Sequence, residues 1–300
     1  MKNELSILLP TYQCLCGNLV KELHRQCEQC GISFEIIVAD DGSKDRSFVE
    51  RNREIEKLQH VTYMKEEQNR GRAAIRNLLA QEAQYEWLVF CDGDMSLENP
   101  LFIRNYCETD GSVIYGGYTV GNSKDRPRNN LRYEYEKDFE DNHIAEKRRQ
   151  HPYHDFHTSN FLVKRSIMLE HPFDERFLHY GFEDVFWGKI LRQNGIFIAH
   201  INNPLCFADF EDNPTFVEKT EESLRTLNDF QDELAEYSGV LRLTEKLEKF
   251  HLLPMVKFSY KTIGQNIRQN LTGNNPMLFL FYIYKLMYFV HVRDLTPKKE

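Results

Sequence analysis

The sequence predicts an α/β fold built on a doubly wound, mostly parallel sheet flanked by helices, with a helical C-terminal extension. Between residues 5 and 91, short apolar runs alternate with stretches of helical pattern, and this alternation is typical of parallel strands joined by helices. Three apolar runs end on polar residues, at Thr11, at Asp40–Asp41 and at Asp92–Asp94. Because ligands bind beyond the carboxyl ends of the strands in such sheets, we expect one shared site there.

The individual elements are predicted from their periodicity and their boundaries. Strands are expected at residues 5–9, 34–39, 61–64, 87–91 and 159–163, and helices at residues 17–30, 43–57, 71–83 and 185–193. Apolar, β-branched runs such as FEIIVA predict buried strands. The segment 214–250 is rich in Glu, Lys and Leu and predicts one or two exposed helices. We therefore expect two domains, 1–212 and 213–300.

Composition and charge narrow the class of protein. The formal net charge of -8 argues against a general affinity for nucleic acid. The first apolar run is too short for a secretory signal, and seven cysteines, an odd number, fit a reducing compartment. We therefore expect a cytoplasmic protein. A zinc site at Cys14, Cys16, Cys27 and Cys30 stays open as an alternative to simple packing of these thiols.

The stretch WLVFCDGDMS places two carboxylates one residue apart, directly after a predicted buried strand. Both side chains can reach a hard divalent cation from one side, and the glycine between them permits a tight turn and the close approach of a ligand. Mg²⁺ and Mn²⁺ are bound by few carboxylates together with phosphate oxygens. Asp92 and Asp94 therefore predict a metal bound to a diphosphate, although this pattern alone is more often a solvated turn.

Four segments stand in a characteristic order: ILLPTYQ at 7–13, EIIVADDGSKDRS at 35–47, NRGRAAIRN at 69–77 and VFCDGDM at 89–95. In this order and spacing they resemble family 2 glycosyltransferases of the GT-A fold. The resemblance implies that the first two segments bind the nucleotide, that the third lies near its phosphates, and that the last binds the metal and the donor sugar. The implied nucleotide-sugar ligands are Pro10, Thr11, Tyr12, Asp40, Asp41, Arg72, Arg76, Asp92 and Gly93, and the implied ligands of Mn²⁺ or Mg²⁺ are Asp92 and Asp94.

The motif Gly181-Phe182-Glu183-Asp184 opens the helix predicted at 185–193. Acidic residues favour the first turn of any helix because of its dipole. The surrounding segment, 157–200, also resembles the C-terminal part of chondroitin-polymerase and galactosyltransferase-like members of the family. That resemblance implies that Asp184 is the catalytic base and that Glu183 helps to hold the acceptor. It also implies a His as a further metal ligand, for which the candidates are His200 and Asp209; Asp209 lies nearer the usual spacing but is not a His. The alternative is that Asp94 and the diphosphate hold the metal alone.

The resemblance as a whole implies an inverting, metal-dependent glycosyltransferase. It would move a sugar from a nucleoside diphosphate, by resemblance UDP, to a hydroxyl of a saccharide or lipid-linked acceptor in surface polysaccharide or glycoconjugate synthesis. A catalytically inactive sugar-nucleotide-binding or scaffolding protein of the same fold is the alternative, and the presence of Asp92, Asp94 and Asp184 argues against it.

Two further segments remain open to more than one interpretation. The densely charged, aromatic stretch 132–157 contains four histidines without a compact ligand pattern, and it predicts a solvated helix and a loop over the site. The apolar run 276–290 is shorter than the ~20 residues that span a bilayer, and Lys285 interrupts it. It predicts either a helix at a membrane surface or a helix packed on the first domain or in a homodimer. The basic residues that would flank a membrane-surface helix are Lys257, Lys261, Arg268 and Arg293.

Overall fold

A computed structural model describes residues 1–121, 129–207 and 209–295. The chain divides into two compact units. The first consists of the described residues of Met1–Ser123, Glu140–Leu178 and Glu183–Asp209, and the second of those of Lys124–Phe139, His179–Phe182 and Phe210–Glu300. The two predicted domains are each continuous in sequence, whereas these two units alternate along the chain. Two short segments, within Lys124–Phe139 and at His179–Phe182, belong to the same unit as the C-terminal helices.

The described part of the first unit contains two sheets. Its strands are β1 (Glu4–Thr11), β2 (Ser33–Asp40), β3 (Val61–Lys65), β4 (Trp87–Cys91), β5 (Met95–Ser96), β6 (Val113–Tyr115), β7 (Tyr118–Val120), β8 (Asn160–Lys164), β9 (Ile198–His200) and β10 (Leu205–Phe207). The larger sheet has the order β3-β2-β1-β4-β8-β6-β9, and the smaller one β5-β10-β7. In the larger sheet β8 runs antiparallel to β4 and β6, and the remaining neighbours are parallel.

The helices follow the predicted pattern and extend it. They are α1 (Gly17–Cys30), α2 (Arg46–Arg53), α3 (Arg72–Glu82), α4 (Phe102–Glu108), α5 (Leu131–Phe139), α6 (Ala145–Arg148), α7 (Arg165–Glu170), α8 (Glu183–Gln193), α9 (Asn213–Asp229), α10 (Gln231–Leu234), α11 (Gly239–Lys249), α12 (Leu253–Leu271) and α13 (Leu278–Leu295). Short 3₁₀ turns cover Glu54–Lys57 and Glu140–Asn142. Helix α5 and helices α9 to α13 belong to the second unit.

The larger sheet is buried on both faces, which explains why its strands read as nearly continuous apolar runs. On one face Leu5, Ile7 and Leu9 of β1 share a core with side chains of α1 and α4. On the other face Leu8 of β1 shares a core with side chains of α3 and with Trp187 of α8. Helices on both faces of a mostly parallel sheet are the predicted doubly wound arrangement, and that prediction is confirmed.

The second unit is held together by an apolar core of its own. The apolar run predicted at 276–290 forms most of α13, whose Phe281, Tyr284 and Met287 are buried among side chains of α9 and α12. Glu221 of α9 supports this packing, because it accepts hydrogen bonds from the Tyr284 hydroxyl at 2.6 Å and from the guanidinium of Arg268 at 2.8 Å. Among the described residues, no helix is both long enough and apolar enough to cross a membrane.

The cysteines do not form the zinc site that the spacing left open. All seven thiols are free, and Cys16 and Cys27 are fully buried among the apolar side chains that pack against α1. Burial raises the pKa of the Cys16 thiol to about 12, which disfavours the thiolate that zinc requires. Over the described ranges, no three His, Cys, Asp or Glu side chains are grouped so that they could hold a metal ion.

Candidate active site

The predicted site residues of the N-terminal half meet at the carboxyl ends of β1, β2 and β4. Thr11, the last residue of β1, pairs with Asp40, the last residue of β2, and its carbonyl accepts a hydrogen bond from the Asp41 N–H at 2.9 Å. The turn after β4 reaches the same place, because the Gly93 N–H donates to the Pro10 carbonyl at 3.1 Å. One edge of the larger sheet therefore gathers three strand ends, and Tyr12, which follows β1, is 44% exposed.

Asp40 is fully buried, and both of its carboxylate oxygens bond within the protein. One oxygen accepts from the Ser43 N–H at 2.7 Å, and the other accepts from the Tyr63 hydroxyl at 2.6 Å. Burial raises the pKa of Tyr63 well above its ordinary value, and the bond to Asp40 raises it further. The contacts of Asp40 therefore fix the turn after β2, and its carboxylate is not directed at a ligand.

Asp41 fixes the loop that leads into α3. Its two oxygens accept hydrogen bonds from the backbone N–H groups of Arg70 and Gly71, at 2.7 and 3.1 Å. Burial raises the pKa of Asp41, and these two N–H groups oppose that shift. The neighbouring Gly42 has a φ of 77°, and a Cβ there would lie 2.6 Å from the Gln68 carbonyl carbon. Only glycine allows the two loops to approach so closely.

Asp92 and Asp94 have different surroundings although they are one residue apart. The Asp92 side chain is 15% exposed, and it forms ion pairs with Arg76 at 2.5 Å and with Arg72 at 3.4 Å. Asp94 is exposed. The glycine between them lies in a crowded place, because a Cβ on Gly93 would lie 3.0 Å from the Thr11 Cβ and 3.1 Å from the Pro10 carbonyl oxygen.

Arg72 connects Asp92 to the motif at the start of α8. Its guanidinium contacts Asp92 and also the Glu183 carboxylate, the latter at 2.5 Å. Arg76, one turn further along α3, is almost fully buried, and it contacts Asp92 and the Arg72 carbonyl. Residues that lie 111 positions apart in the sequence, Arg72 and Glu183, thus share one charged cluster.

Asp184 is held in a defined orientation at the N-terminus of α8. Its Oδ1 accepts a hydrogen bond from the Val185 N–H at 2.7 Å, and its Oδ2 lies 3.1 Å from Nδ1 of His157. A carboxylate can only accept, so Nδ1 of His157 carries the hydrogen. Burial alone would raise the pKa of Asp184, but the bonds and the charge of His157 outweigh it and leave the pKa below its usual range. Asp184 is therefore ionised at neutral pH, with 18% of its side chain exposed.

His200 does not join the carboxylates to which the sequence assigned it. It is buried in β9, where its Nδ1 accepts from Arg148 at 3.1 Å and its Nε2 donates to the Pro152 carbonyl at 2.9 Å. Burial and the neighbouring arginines lower its pKa to about 4. Because both ring nitrogens are already bonded within the protein, His200 is not available as a metal ligand in this arrangement.

Asp92 and Asp94 are the remaining predicted metal ligands. They suit a metal that the substrate also binds better than a metal held by protein side chains alone. Asp92 and Asp94 supply two carboxylates, and no third His, Cys, Asp or Glu completes a metal-binding group within the described residues. Mg²⁺ and Mn²⁺ are commonly bound by one or two carboxylates while substrate phosphates and water fill the other positions. The donor set therefore suits a metal that arrives with a diphosphate.

Two residues in this region were given no role from the sequence. His157 was one of four histidines without a ligand pattern, yet its ring contacts Asp184 and lies near Tyr118 and His143, with ring centroids 5.8 and 6.1 Å apart. Gln13 has a φ of 52° and accepts from the Asp45 N–H through its side chain, while its own N–H donates to Ser43. It thereby ties the end of β1 to the turn after β2.

The chain is similar in sequence to known proteins. The family model described as glycosyl transferase family 2 matches residues 6–171, more than half of the chain. The chain is 27% identical over 237 residues to chondroitin synthase of Escherichia coli, which covers 68% of this chain and 34% of that protein. It is 34% identical over 110 residues to an uncharacterised glycosyltransferase of Haemophilus influenzae, covering 37% of this chain and 34% of the relative. The matches thus span about a third of the length of these relatives.

Solved structures share the fold at low sequence identity. A mannosyltransferase from Pyrobaculum calidifontis, in complex with GDP-Man and Mn²⁺, has a TM-score of 0.58 and 14% identity, and the match covers all of this chain and 89% of that one. Residues 1–349 of S. aureus TarS, in complex with UDP-GlcNAc, give a TM-score of 0.52 at 16% identity, covering 98% of this chain and 91% of that one. These likenesses establish the GT-A fold. Together with the family match, they identify the chain as a member of glycosyltransferase family 2.

Proposed function

We propose that this glycosyltransferase moves a sugar from a nucleoside diphosphate, most simply UDP, to an acceptor hydroxyl, with inversion and with the help of Mn²⁺ or Mg²⁺. The observation that carries the proposal is the position of Arg72. Its guanidinium touches both Asp92, after β4, and Glu183, at the start of α8. The carboxylate expected beside the donor and the carboxylate expected beside the acceptor therefore lie one arginine apart.

The donor would lie across the strand ends. Tyr12 offers an exposed aromatic ring for the base, beside Pro10 and Thr11. Arg72 and Arg76 provide positive charge next to Asp92, and positive charge stabilises a diphosphate as it leaves. A divalent metal held by Asp92 and Asp94 would neutralise the negative charge that develops on the leaving diphosphate.

The acceptor side would be served by Asp184 and Glu183. The acceptor oxygen forms a bond to the anomeric carbon of the sugar, while the bond from that carbon to the diphosphate oxygen breaks and the diphosphate leaves with its electron pair. Asp184, ionised and partly exposed, takes the proton of the attacking hydroxyl. His157 and the Val185 N–H keep the carboxylate oriented. Glu183 receives Arg72 on Oε1, and its Oε2 would accept a hydrogen bond from an acceptor hydroxyl.

The natural setting that we propose is the synthesis of a surface polysaccharide or glycoconjugate. The acceptor would be a saccharide or a lipid-linked saccharide, and the enzyme would act in the cytoplasm, as a monomer or homodimer. The E. coli relative is named for chondroitin synthesis, which supports a polysaccharide acceptor. The alternative, a sugar-nucleotide-binding protein without catalysis, has the same donor site but needs no ionised Asp184.

A donor screen followed by a transfer assay tests the proposal. Thermal unfolding is measured with UDP- and GDP-sugars, with and without Mn²⁺, because a ligand that binds the native state raises the midpoint by mass action. We expect one nucleotide sugar to give a metal-dependent rise that Asp94→Ala abolishes. Asp184→Asn should keep that rise while sugar transfer falls by about 10² to 10⁴. Binding without transfer to any saccharide acceptor would favour the inactive alternative, and no binding at all would refute the donor site.

A further inference from the structure

The turn between α11 and α12 presents four large apolar side chains to solvent. Phe250 is 74% exposed, Met255 61% and Phe258 68%, and Leu252 between them is 38% exposed. Met255 and Phe258 lie three residues apart, so they project from the same face of α12. We call these four residues the α11–α12 corner. Aromatic and methionine side chains exposed together are unusual on a protein surface that contacts only water.

The corner is exposed because α12 packs through its opposite face. Val256, Ile267 and Leu271 of this helix are buried against α9 and α13. Helix α13, which the sequence offered as a membrane-surface helix, has its own large side chains in that same core. The packing of the second unit therefore uses the apolar face of α13 and leaves that of the α11–α12 corner unpartnered.

The stretch of sequence that contains the corner carries charge of one sign, between Glu248 at one end and Asp294 at the other. From residue 249 to residue 293 the sequence contains six Lys or Arg and no Asp or Glu, in a chain whose formal net charge is -8. Some of these cations pair with acids outside the segment, as Lys257 does with Asp294 and Arg268 with Glu221. Lys249 and Lys261 are exposed and form no ion pair with any described residue. Two ammonium groups that form no ion pair with a described residue thus flank the apolar corner in sequence.

We propose that the α11–α12 corner docks on an anionic membrane surface. Exposed Phe, Leu and Met side chains can enter the boundary between headgroups and acyl chains while lysines beside them contact acidic headgroups. A second copy of the chain is a poorer occupant, because a symmetric contact would place the same lysines against each other. The corner is a surface contact only, since no described helix could cross the bilayer.

Vesicle co-sedimentation of the full chain tests this inference. The probes are vesicles of phosphatidylcholine alone and of phosphatidylcholine with phosphatidylglycerol. We expect binding to the anionic vesicles, little binding to the neutral ones, and weaker binding as salt is raised. Lys249→Gln with Lys261→Gln should lower the partition coefficient by about fivefold for each lysine. Phe250→Ser with Phe258→Ser should lower it by about tenfold for each phenylalanine.

A matched control keeps the test specific to the corner. Phe197 belongs to the first unit and is 63% exposed, so Phe197→Ser removes the same type of side chain elsewhere and should leave vesicle binding unchanged. Thermal midpoints of all variants show that they are folded. Vesicle binding that is absent in the wild type, or equal in the corner variants, overturns the inference. A wild-type dimer that becomes a monomer in Phe250→Ser/Phe258→Ser, without vesicle binding, assigns the corner to a second copy instead. The assay contains no donor or acceptor, so its result is separate from the transfer activity.

Discussion

Two pairs of aspartates follow β2 and β4, the strands on either side of β1 in the larger sheet. The surroundings of the two pairs differ. Asp40 and Asp41, after β2, direct all four oxygens at groups of the protein itself. Asp92 and Asp94, after β4, comprise one carboxylate held by two arginines and one that is exposed. Similar acidic turns thus have different surroundings: the first pair is bonded to the loops around the site, whereas we propose that the second pair binds a ligand. The neighbours of each carboxylate decide its role.

Among these four aspartates, the largest expected effect is on activity at Asp94. We expect Asp94→Ala to lower kcat/KM by about 10³, because it removes one of only two carboxylates proposed to hold the metal. The free energy of unfolding should change by less than about 0.5 kcal/mol, because the side chain is exposed. Steady-state kinetics and chemical denaturation measure the two quantities. Asp229→Ala, which removes an exposed carboxylate of α9, serves as the control. A variant that loses stability as well would make Asp94 resemble Asp40.

At Asp40 we expect substitution to lower stability directly, in contrast to Asp94, where we expect it to lower activity. Asp40→Ala leaves the Tyr63 hydroxyl and the Ser43 N–H buried without their acceptor, which should cost about 3 kcal/mol of unfolding free energy. Urea denaturation of Asp40→Ala, Tyr63→Phe and the double variant measures how strongly the two side chains are coupled. We expect the double variant to be less destabilised than the sum of the single changes. Additive losses would show that the hydroxyl bond is not what Asp40 contributes.

Much of the fold could be predicted from the sequence alone, whereas the different surroundings of these aspartates could not. Strand β4 was predicted to the residue, and α1 likewise, because long apolar runs and helical periodicity are local signals. Strands of two or three residues, such as β5 and β10, carry no such signal. Contacts between distant residues also carry no local signal in the sequence, so the bridge from Arg72 to Glu183 could not be predicted. His200 shows the same limit, since only the fold reveals that Arg148 and Pro152 occupy its nitrogens.

Gly42 and Gly93, which adjoin the two aspartate pairs, should respond differently to substitution. Gly42→Ala should destabilise the protein by about 2 kcal/mol, because φ is 77° and the new Cβ meets backbone atoms of Gln68 and Asn69 within 2.7 Å. Gly93→Ala should cost less stability, because its closest contact is 3.0 Å, to a Thr11 side-chain atom. Its effect should appear instead in donor binding, measured by the nucleotide-dependent rise in thermal midpoint. Equal destabilisation by the two changes would contradict the different packing of the two turns.

Asp184 is intermediate between the fully bonded Asp40 and the exposed Asp94. One of its oxygens is held by a backbone N–H and the other by a single side chain, that of His157. We expect His157→Ala to lower kcat by about tenfold with little change in KM. Loss of His157 should also raise the pKa of Asp184, whose depression depends largely on that histidine, so the acidic limb of the kcat/KM profile should move to higher pH. His157→Asn, which keeps an N–H donor, should recover part of the loss. An unchanged pH profile with the same fall in kcat would limit His157 to a structural role.

The smallest effect concerns Asp41 and appears in the pH dependence of stability. Burial raises the folded-state pKa of this carboxyl above its usual range, although the Arg70 and Gly71 N–H groups oppose the shift. A group whose pKa is raised by folding contributes stability that is present below its unfolded pKa and is lost as pH rises through the folded pKa. The neutral Asp41→Asn side chain should lose one of the two hydrogen bonds at every pH but escape this loss.

Denaturation of wild type and Asp41→Asn between pH 3.5 and 7 measures this difference. The advantage of the wild type in unfolding free energy should shrink as pH rises, because only the wild-type carboxyl must ionise in a buried position. If the advantage grows with pH, the two backbone N–H groups stabilise the carboxylate by more than burial costs it. Asp41 would then be a carboxylate held ready for a ligand, like Asp92, and the contrast between the two strand ends would rest on Asp40 alone.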